Sequence, residues 1–303
     1  MTINESSTNS IEKNPIPEQF PIKISLKNLN NHLYPMNPSN RTIIVTGGGS
    51  GMGRELVKQL LEKGARVAAI DLNNVALLET KQICGALSKN LSIHTLNIAD
   101  RTHVEQLPEA ILKIHGSIDG LINNAGIIQP FVKINDLSYE AIDRVLNVNF
   151  YGVVYMTKTF LPYLLKQNEA HIVNISSMGG FLPVPGQTIY GASKAAVKLF
   201  TEGLNSELRG TSVGVTVIFP GAIATNITEN SGVKMDTSKI DSSKTQYKML
   251  SASQAARQII SAMERKAFRA CVGSDSKFMD FIYRMHPKFA AGFIAKKMGD
   301  LLK

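Results

Sequence analysis

Thr42-Ile-Ile-Val-Thr-Gly-Gly-Gly-Ser-Gly-Met-Gly53 is an apolar run that stops in a cluster of glycines. Thr42 to Val45 reads as a buried strand, and Gly51 to Glu62 as an amphipathic helix. Thr46 to Gly53 therefore carries the chain from strand to helix. Glycine there permits a tight turn and lets backbone N–H groups approach an anion at the helix N-terminus. The spacing is Gly47-x-x-x-Gly51-x-Gly53, not the commoner G-x-G-x-x-G. Alone, such a cluster also fits a flexible turn; between a strand and a helix it reads as a pyrophosphate cradle, with Gly47, Ser50, Gly51, Met52 and Gly53 as its contacts.

Outward from this loop the alternation continues. Arg66 to Ile70, Ser92 to Leu96, Gly120 to Ile122, His171 to Ile175 and Val213 to Phe219 read as buried strands. Val75 to Leu87, His103 to Ile114, Tyr139 to Leu165 and Gly191 to Leu208 read as helices between them. Repeated β-helix-β units predict a single-domain, doubly wound (Rossmann) α/β fold. Its parallel sheet has about seven strands, helices on both faces, and ligands at the carboxyl ends of the strands. The domain runs over 41–273, and its polar stretch 226–250 has the composition of a substrate lid. Residues 1–40, interrupted by Pro15, Pro17, Pro21, Pro35 and Pro38, read as an arm that is disordered or strapped on the surface, with one short edge strand at Ile22, Ile24 and Leu26.

Composition excludes several classes. The two cysteines, Cys84 and Cys271, are far apart and lack partners at metal-ligand spacing, so neither a disulfide framework nor a metal site is expected. The default compartment is the reducing cytoplasm. No secretory start and no membrane-spanning run of roughly 18 apolar residues is visible. The net charge of +9 is concentrated at the C-terminus, where Arg257 to Lys303 holds 10 Lys/Arg against 4 Asp/Glu. No aromatic-interleaved basic stripe points to nucleic acid. Residues 274–303 form an amphipathic helical extension, with Phe278, Phe281, Ile282 and Met285 and then Phe289, Phe293, Ile294 and Met298 at helical spacing. It fits packing on its own domain, on a partner subunit, or peripherally on a membrane.

Asp71 ends the second strand run, 18 residues after Gly53, where a carboxylate accepts hydrogen bonds from an adenine ribose; it equally fits a helix cap. It would repel a 2′-phosphate, and neither Ser50 nor Leu72 supplies a compensating cation, so NAD is expected over NADP. Tyr190-Gly-Ala-Ser-Lys194 sets a phenol and an ammonium on one helix face. A free phenol has a pKa of roughly 10, so acid–base work near neutrality asks for a fall of up to ~3 units, and an adjacent ammonium has the right sign.

Thr46 to Gly53, Asn123-Asn-Ala-Gly126, Asn149, Ser177, Tyr190 to Lys194 and Pro220-Gly221 occur together in one order, covering most of residues 41 to 225. In this the chain resembles the short-chain dehydrogenase/reductase family. The resemblance implies Tyr190 as general acid and base, Ser177 as the hydroxyl that orients the substrate oxygen, and Lys194 as the ribose ligand that lowers the tyrosine's pKa. It also implies that Asn149 holds a water linking Lys194 to solvent. Asn149 as a helix polar residue and Ser177 as a strand-end cap are the structural alternatives. Asn97, Ile98, Asn124, Ala125, Gly126, Pro220, Gly221, Ile223 and Thr225 would complete the cofactor contacts, Asn97 standing where many relatives have an acidic residue.

The expected reaction moves a hydride between NAD(H) and an alcohol or carbonyl carbon. Apolar Ile127, Ile128, Phe131, Met178, Phe181, Leu182, Pro183, Val184 and Pro185 favour a lipophilic alcohol or ketone. An NADPH-dependent 3-oxoacyl reductase and a non-catalytic dinucleotide sensor are the rival expectations. The resemblance also implies a homodimer or homotetramer built through the helices of Tyr139 to Leu165 and Gly191 to Leu208.

Overall fold

The computed structural model describes residues 35–233 and 249–298. The edge strand expected near Ile22 and most of the expected lid lie outside the described residues. Seven strands form the main sheet: β1 (Thr42–Thr46), β2 (Arg66–Asp71), β3 (Leu91–Thr95), β4 (Gly120–Asn123), β5 (Ala170–Ile175), β6 (Val213–Pro220) and, later in the chain, β9 (Arg269–Val272). Their order is β3-β2-β1-β4-β5-β6-β9, and every pairing is parallel. The order reverses between β1 and β4, the switch point where such sheets open a crevice at their carboxyl edge. A two-stranded parallel ribbon, β7 (Ile223–Ala224) with β8 (Leu250–Ser251), lies beyond β6.

The sheet is buried on both faces, and the period-2 alternation of β1 states this residue by residue. Ile43 and Val45 join one core with Leu56, Val57 and Leu60 of α1 (Gly51–Glu62) and Ile259, Ile260 and Met263 of α8 (Ala252–Glu264). Ile44 joins the other, with Ile111 of α3 (Arg101–His115), Phe160 of α5 (Gly152–Leu164) and Leu204 of α6 (Thr188–Glu207). Met36 is fully buried in the first core and its N–H bonds Glu264 O, so the end of the expected arm belongs to the domain.

Two helical expectations change. The span 75–87 divides into α2 (Asn74–Ile83) and a 3₁₀ turn, Gly85–Asn90, because Gly85 takes a positive φ of 52°. The span 139–165 is not one α-helix: α4 (Tyr139–Leu146) and α5 are joined by a π turn, Asn147–Tyr151, with Asn149 inside it. Of the expected lid, α7 (Ile227–Asn230) is described. The described part of the C-terminal extension is two helices, α9 (Ser274–Met285) and α10 (Pro287–Met298), divided at Pro287 as its fixed φ and missing N–H require.

Candidate active site

The glycine loop sits at the switch point with its N–H groups partly committed to the sheet. Gly47 and Gly51 hold φ of +70° and +49°, the left-handed region glycine enters without penalty. Gly53 is required by contact instead: a Cβ there would lie 1.8 Å from Gly47 O. Such a cradle presents backbone and tolerates no side chain at Gly53, which fits a dinucleotide's pyrophosphate. Met52 packs on the first core, leaving its backbone to face the loop. Ser50 Oγ accepts from Asn230 Nδ2 at 2.8 Å.

Asp71 reaches back to this loop. Its Oδ2 accepts from Gly49 N at 2.9 Å and its Oδ1 from Asn73 N at 3.0 Å. The cap on α2 belongs to Asn73, whose side chain accepts from Ala76 N, so the helix-cap role open to Asp71 is filled by its neighbour. Arg54, passed over in the sequence, donates to Gly49 O through Nη2 at 2.6 Å and pairs with Glu79 at 2.6 Å. Its position right after Gly53 was the available signal. Asn97 Oδ1 is taken by Ala99 N at 3.0 Å, while buried Ile98 packs against Gly152, where a Cβ would meet it at 2.8 Å.

Thr46 Oγ1 accepts from Asn124 N and Ala125 N, both at 3.0 Å, and Asn124 Nδ2 donates to Thr46 O at 2.9 Å, so the strand ends of β1 and β4 are laced together. Gly126 follows, and it serves as a ruler. A Cβ built on it would lie 3.1 Å from Lys194 Nζ and 3.3 Å from Asn149 Oδ1. These side chains come from separate elements to one point.

Asn149 is fully buried and its amide is bound by protein: Oδ1 accepts from Ile127 N at 2.8 Å, and Nδ2 donates to Ile127 O at 2.9 Å and Ser193 Oγ at 3.1 Å. The π turn aims it at β4's exit, a use to which single wide turns in helices are often put. Lys194 is 3% exposed, donates from Nζ to Ile175 O at 3.0 Å, and burial lowers its pKa to about 8.

Ser177 and Tyr190 meet at Gly179. A Cβ built there would be 3.4 Å from Ser177 Oγ and 3.4 Å from Tyr190 Cε1. Ser177 Oγ also accepts from Gly179 N, capping the turn Met178–Gly180. In the protein alone the Tyr190 phenol differs from the fall expected from its i, i+4 lysine: burial pushes it above its usual value, opposed by a hydrogen bond with Ser177. The lysine's ammonium is turned to the β5 carbonyl instead.

Three braces escaped the sequence. Gln129, 1% exposed, accepts at Oε1 from Ile189 N (2.8 Å) and Tyr190 N (3.0 Å) and donates to Gly186 O (3.0 Å), while Gln187 Nε2 donates to Gln129 O at 2.8 Å. Two free N–H groups at the start of α6 are thereby satisfied across 61 residues of chain, a pairing with no local sequence signal. Ser231 Oγ accepts from Ile128 N at 2.9 Å, and its carbonyl accepts from Arg144 Nη2, which latches the end of α7 over the β4 loop. Asp275 Oδ2 accepts from Ala222 N at 2.7 Å, and Ser276 Oγ donates to Phe219 O at 2.7 Å, pinning α9 to the end of β6.

Pro220 ends β6, Ile223 lies in the ribbon, and Thr225 packs beside Gly51, where a Cβ would meet its side chain at 3.3 Å. The apolar set is divided. Leu182 is spent in a core with Met279, Ala290 and Ile294, and Phe181 stacks edge-on to Phe219 at 5.5 Å. Ile128 is buried, while Ile127, Phe131, Met178, Val184 and Pro185 keep partial exposure and Pro183 is exposed.

An open parallel sheet with a glycine cradle at its switch point defines the nucleotide-binding class of α/β proteins. The chain belongs to the short-chain dehydrogenase family, whose model matches residues 41–236, and it is an oxidoreductase of that type, using a nicotinamide dinucleotide and small-molecule substrates. It is 32% identical over 265 residues to SadH of Mycobacterium tuberculosis, which carries an oxidoreductase name, covering 84% of this chain and 96% of SadH. It is 34% identical over 194 residues to the 3-oxoacyl-acyl-carrier-protein reductase FabG of Thermotoga maritima, covering 64% of this chain and 78% of FabG. The crystal structure of a short-chain dehydrogenase/reductase from Burkholderia phymatum in complex with NAD superposes with a TM-score of 0.73 at 25% identity, over 82% of this chain and 96% of that one. Among the described residues no helix is long and apolar enough to cross a membrane.

Proposed function

We propose that the protein is an NAD-dependent alcohol dehydrogenase or carbonyl reductase acting on a lipophilic substrate, with Tyr190 as its general acid and base. The observation that carries this is the approach of Ser177 Oγ and the Tyr190 ring to one point beside Gly179, one helical turn from buried Lys194. The nicotinamide, when bound, supplies or accepts the hydride. Ser177 holds and polarises the substrate oxygen; Tyr190 takes the hydroxyl proton in oxidation and returns it in reduction. Lys194, with a pKa of about 8, would hold a cofactor hydroxyl through its ammonium, one helical turn from the phenol. Asn149 braces the lysine's surroundings. It would also hold a water linking Lys194 to solvent, since its Oδ1 accepts one protein hydrogen bond and an amide oxygen can accept two.

The residues that would hold the cofactor are Gly47, Ser50, Gly51, Met52 and Gly53 of the cradle, Asp71, Asn97, Ile98, Asn124, Ala125 and Gly126 beside it, and Pro220, Gly221, Ile223 and Thr225 after β6. NAD is favoured because Asp71 presents a carboxylate beside the loop, and the nearby Arg54 cation is already neutralised by Glu79. The exposed Tyr139, Tyr151, Leu165 and Leu199 support assembly as a homodimer or homotetramer through the helices that bear them.

A panel of aliphatic and alicyclic alcohols and ketones, assayed separately with NAD(H) and NADP(H), tests the reading. Turnover is expected with NAD(H) and hydrophobic substrates, and Tyr190→Phe should lose 10² to 10⁴ of it, roughly the range of general acid–base contributions. Full turnover by Tyr190→Phe, or a preference for NADP(H), would overturn the corresponding part.

A further inference from the structure

The helix pair α9 and α10 has two faces of opposite character. Inward, Met279, Ala290 and Ile294 close with Leu182 into a small core. Outward, Phe278, Phe281 and Met285 are 57%, 63% and 60% exposed, and Phe289 at the start of α10 is 65% exposed. Spacings of three and four residues put the first three on one stripe of α9. Four large apolar side chains so close in the chain, and so exposed, exceed the scattered surface leucine that needs no explanation.

The charges are sorted as well. The acidic groups of α9 are withdrawn: Asp275 accepts from Ala222 N, and Asp280, 16% exposed, pairs with Arg269 at 2.8 Å. The cations Lys277, Arg284, Lys288 and Lys296 are exposed, the Arg284 side chain by 68%. The outward surface is therefore an aromatic and aliphatic stripe bordered by positive charge. A second copy placed on this face by a two-fold axis would set cation against cation. Each helix has 12 residues, too short to span a bilayer, which takes about 20. The strongly amphipathic α9 has the sided character of helices that lie in the interfacial plane, where aromatic rings sit at headgroup depth and lysine and arginine meet anionic lipid.

We propose that the α9–α10 pair docks the protein on an anionic lipid bilayer, with Phe278, Phe281 and Met285 inserted and Lys277, Arg284 and Lys288 against the headgroups. Lipid then covers this apolar face of the extension, while its inner face continues to support the Met178–Leu182 wall beside Ser177.

The full chain is sedimented with vesicles of phosphatidylcholine and phosphatidylglycerol in equal parts, and with phosphatidylcholine alone. Sedimentation with the anionic vesicles is expected, weakened by added salt as screened charges require. A Phe278→Ser/Phe281→Ser variant should bind at least tenfold more weakly, burying two aromatic side chains fewer. Its thermal midpoint and its gel-filtration elution without lipid should match the wild type. Wild-type protein that stays in the supernatant, a double variant that sediments equally, or a variant that elutes as a smaller species without lipid would each overturn the proposal, the last by assigning the face to a protein contact.

Discussion

Lys194 shows how one buried charge links catalysis to stability. Its pKa falls from 10.5 to about 8 because burial penalises the ammonium. Below about pH 8 the side chain is charged in the folded and unfolded chain alike, and folding bears the full cost of burying it; above 10.5 it is neutral in both, and the cost is gone. The unfolded state thus binds more protons between these values, and stability rises with pH across that window. A Lys194→Met variant, lacking the titration, should be inactive yet gain stability relative to wild type at pH 7. That gain should shrink by about 3 kcal/mol on going to pH 10.5, read by denaturant unfolding of both proteins at the two pH values. A constant difference would show that the lysine's charge is not what burial strains. Gly53 makes a steric counterpart. Gly53→Ala drives a methyl into Gly47 O and Asn124 Nδ2, 1.8 and 2.7 Å from the built position, so the cradle must open. NADH titrated by fluorescence should bind at least tenfold more weakly, at a stability cost of about 1–3 kcal/mol.

At the scale of elements, the start of α6 depends on a residue 61 positions away. Gln129→Leu leaves the half-buried Ile189 and Tyr190 N–H groups without their acceptor, which costs about 1–3 kcal/mol in all. It should also let Tyr190 drift, lowering kcat more than it raises KM. A loss of stability with kcat unchanged would reduce Gln129 to a packing role. This brace marks where the sequence stops being legible. Strands and loops were readable because burial on two faces writes continuous apolar runs and the cradle writes glycines; Ile43, Ile44 and Val45 need no partner to be recognised. The π turn was not readable, since Asn147 to Tyr151 differs from an ordinary helical stretch only in its tertiary partners, Ile127 and Ser193. Residues of the candidate site were legible by type and order, but the direction of Lys194, turned to Ile175 O, and the upward shift of Tyr190 arise from burial that spacing does not encode.

At the scale of the whole molecule, the C-terminal extension and the cofactor crevice form one mechanical unit. The chain after β6 leaves the carboxyl edge of the sheet, and the described part of that passage is held at several points: Ala222 by Asp275, Thr225 against Gly51, Asn230 by Ser50, and Ser231 by Ile128 and Arg144. Of these, the Asp275 contact alone comes from the extension, and it is close enough that any Cβ on Gly221 would collide with the carboxylate at 2.2 Å. The glycine after Pro220 is thus explained by the helix that packs on it, a reason located 54 residues further along the chain. Asp275→Ala removes a charge-assisted hydrogen bond, a loss of about 1.5–3 kcal/mol, and releases Ala222 while leaving Ser276 and the Leu182 core to hold α9 in place. The expected outcome is a several-fold weaker NADH affinity, with Asp275→Asn intermediate because its amide oxygen still accepts from Ala222 N. Amide hydrogen exchange should rise at 221–225 and stay unchanged at 279–294. Faster exchange confined to α9 and α10, with NADH affinity intact, would mean that the extension is carried by the domain without governing its crevice.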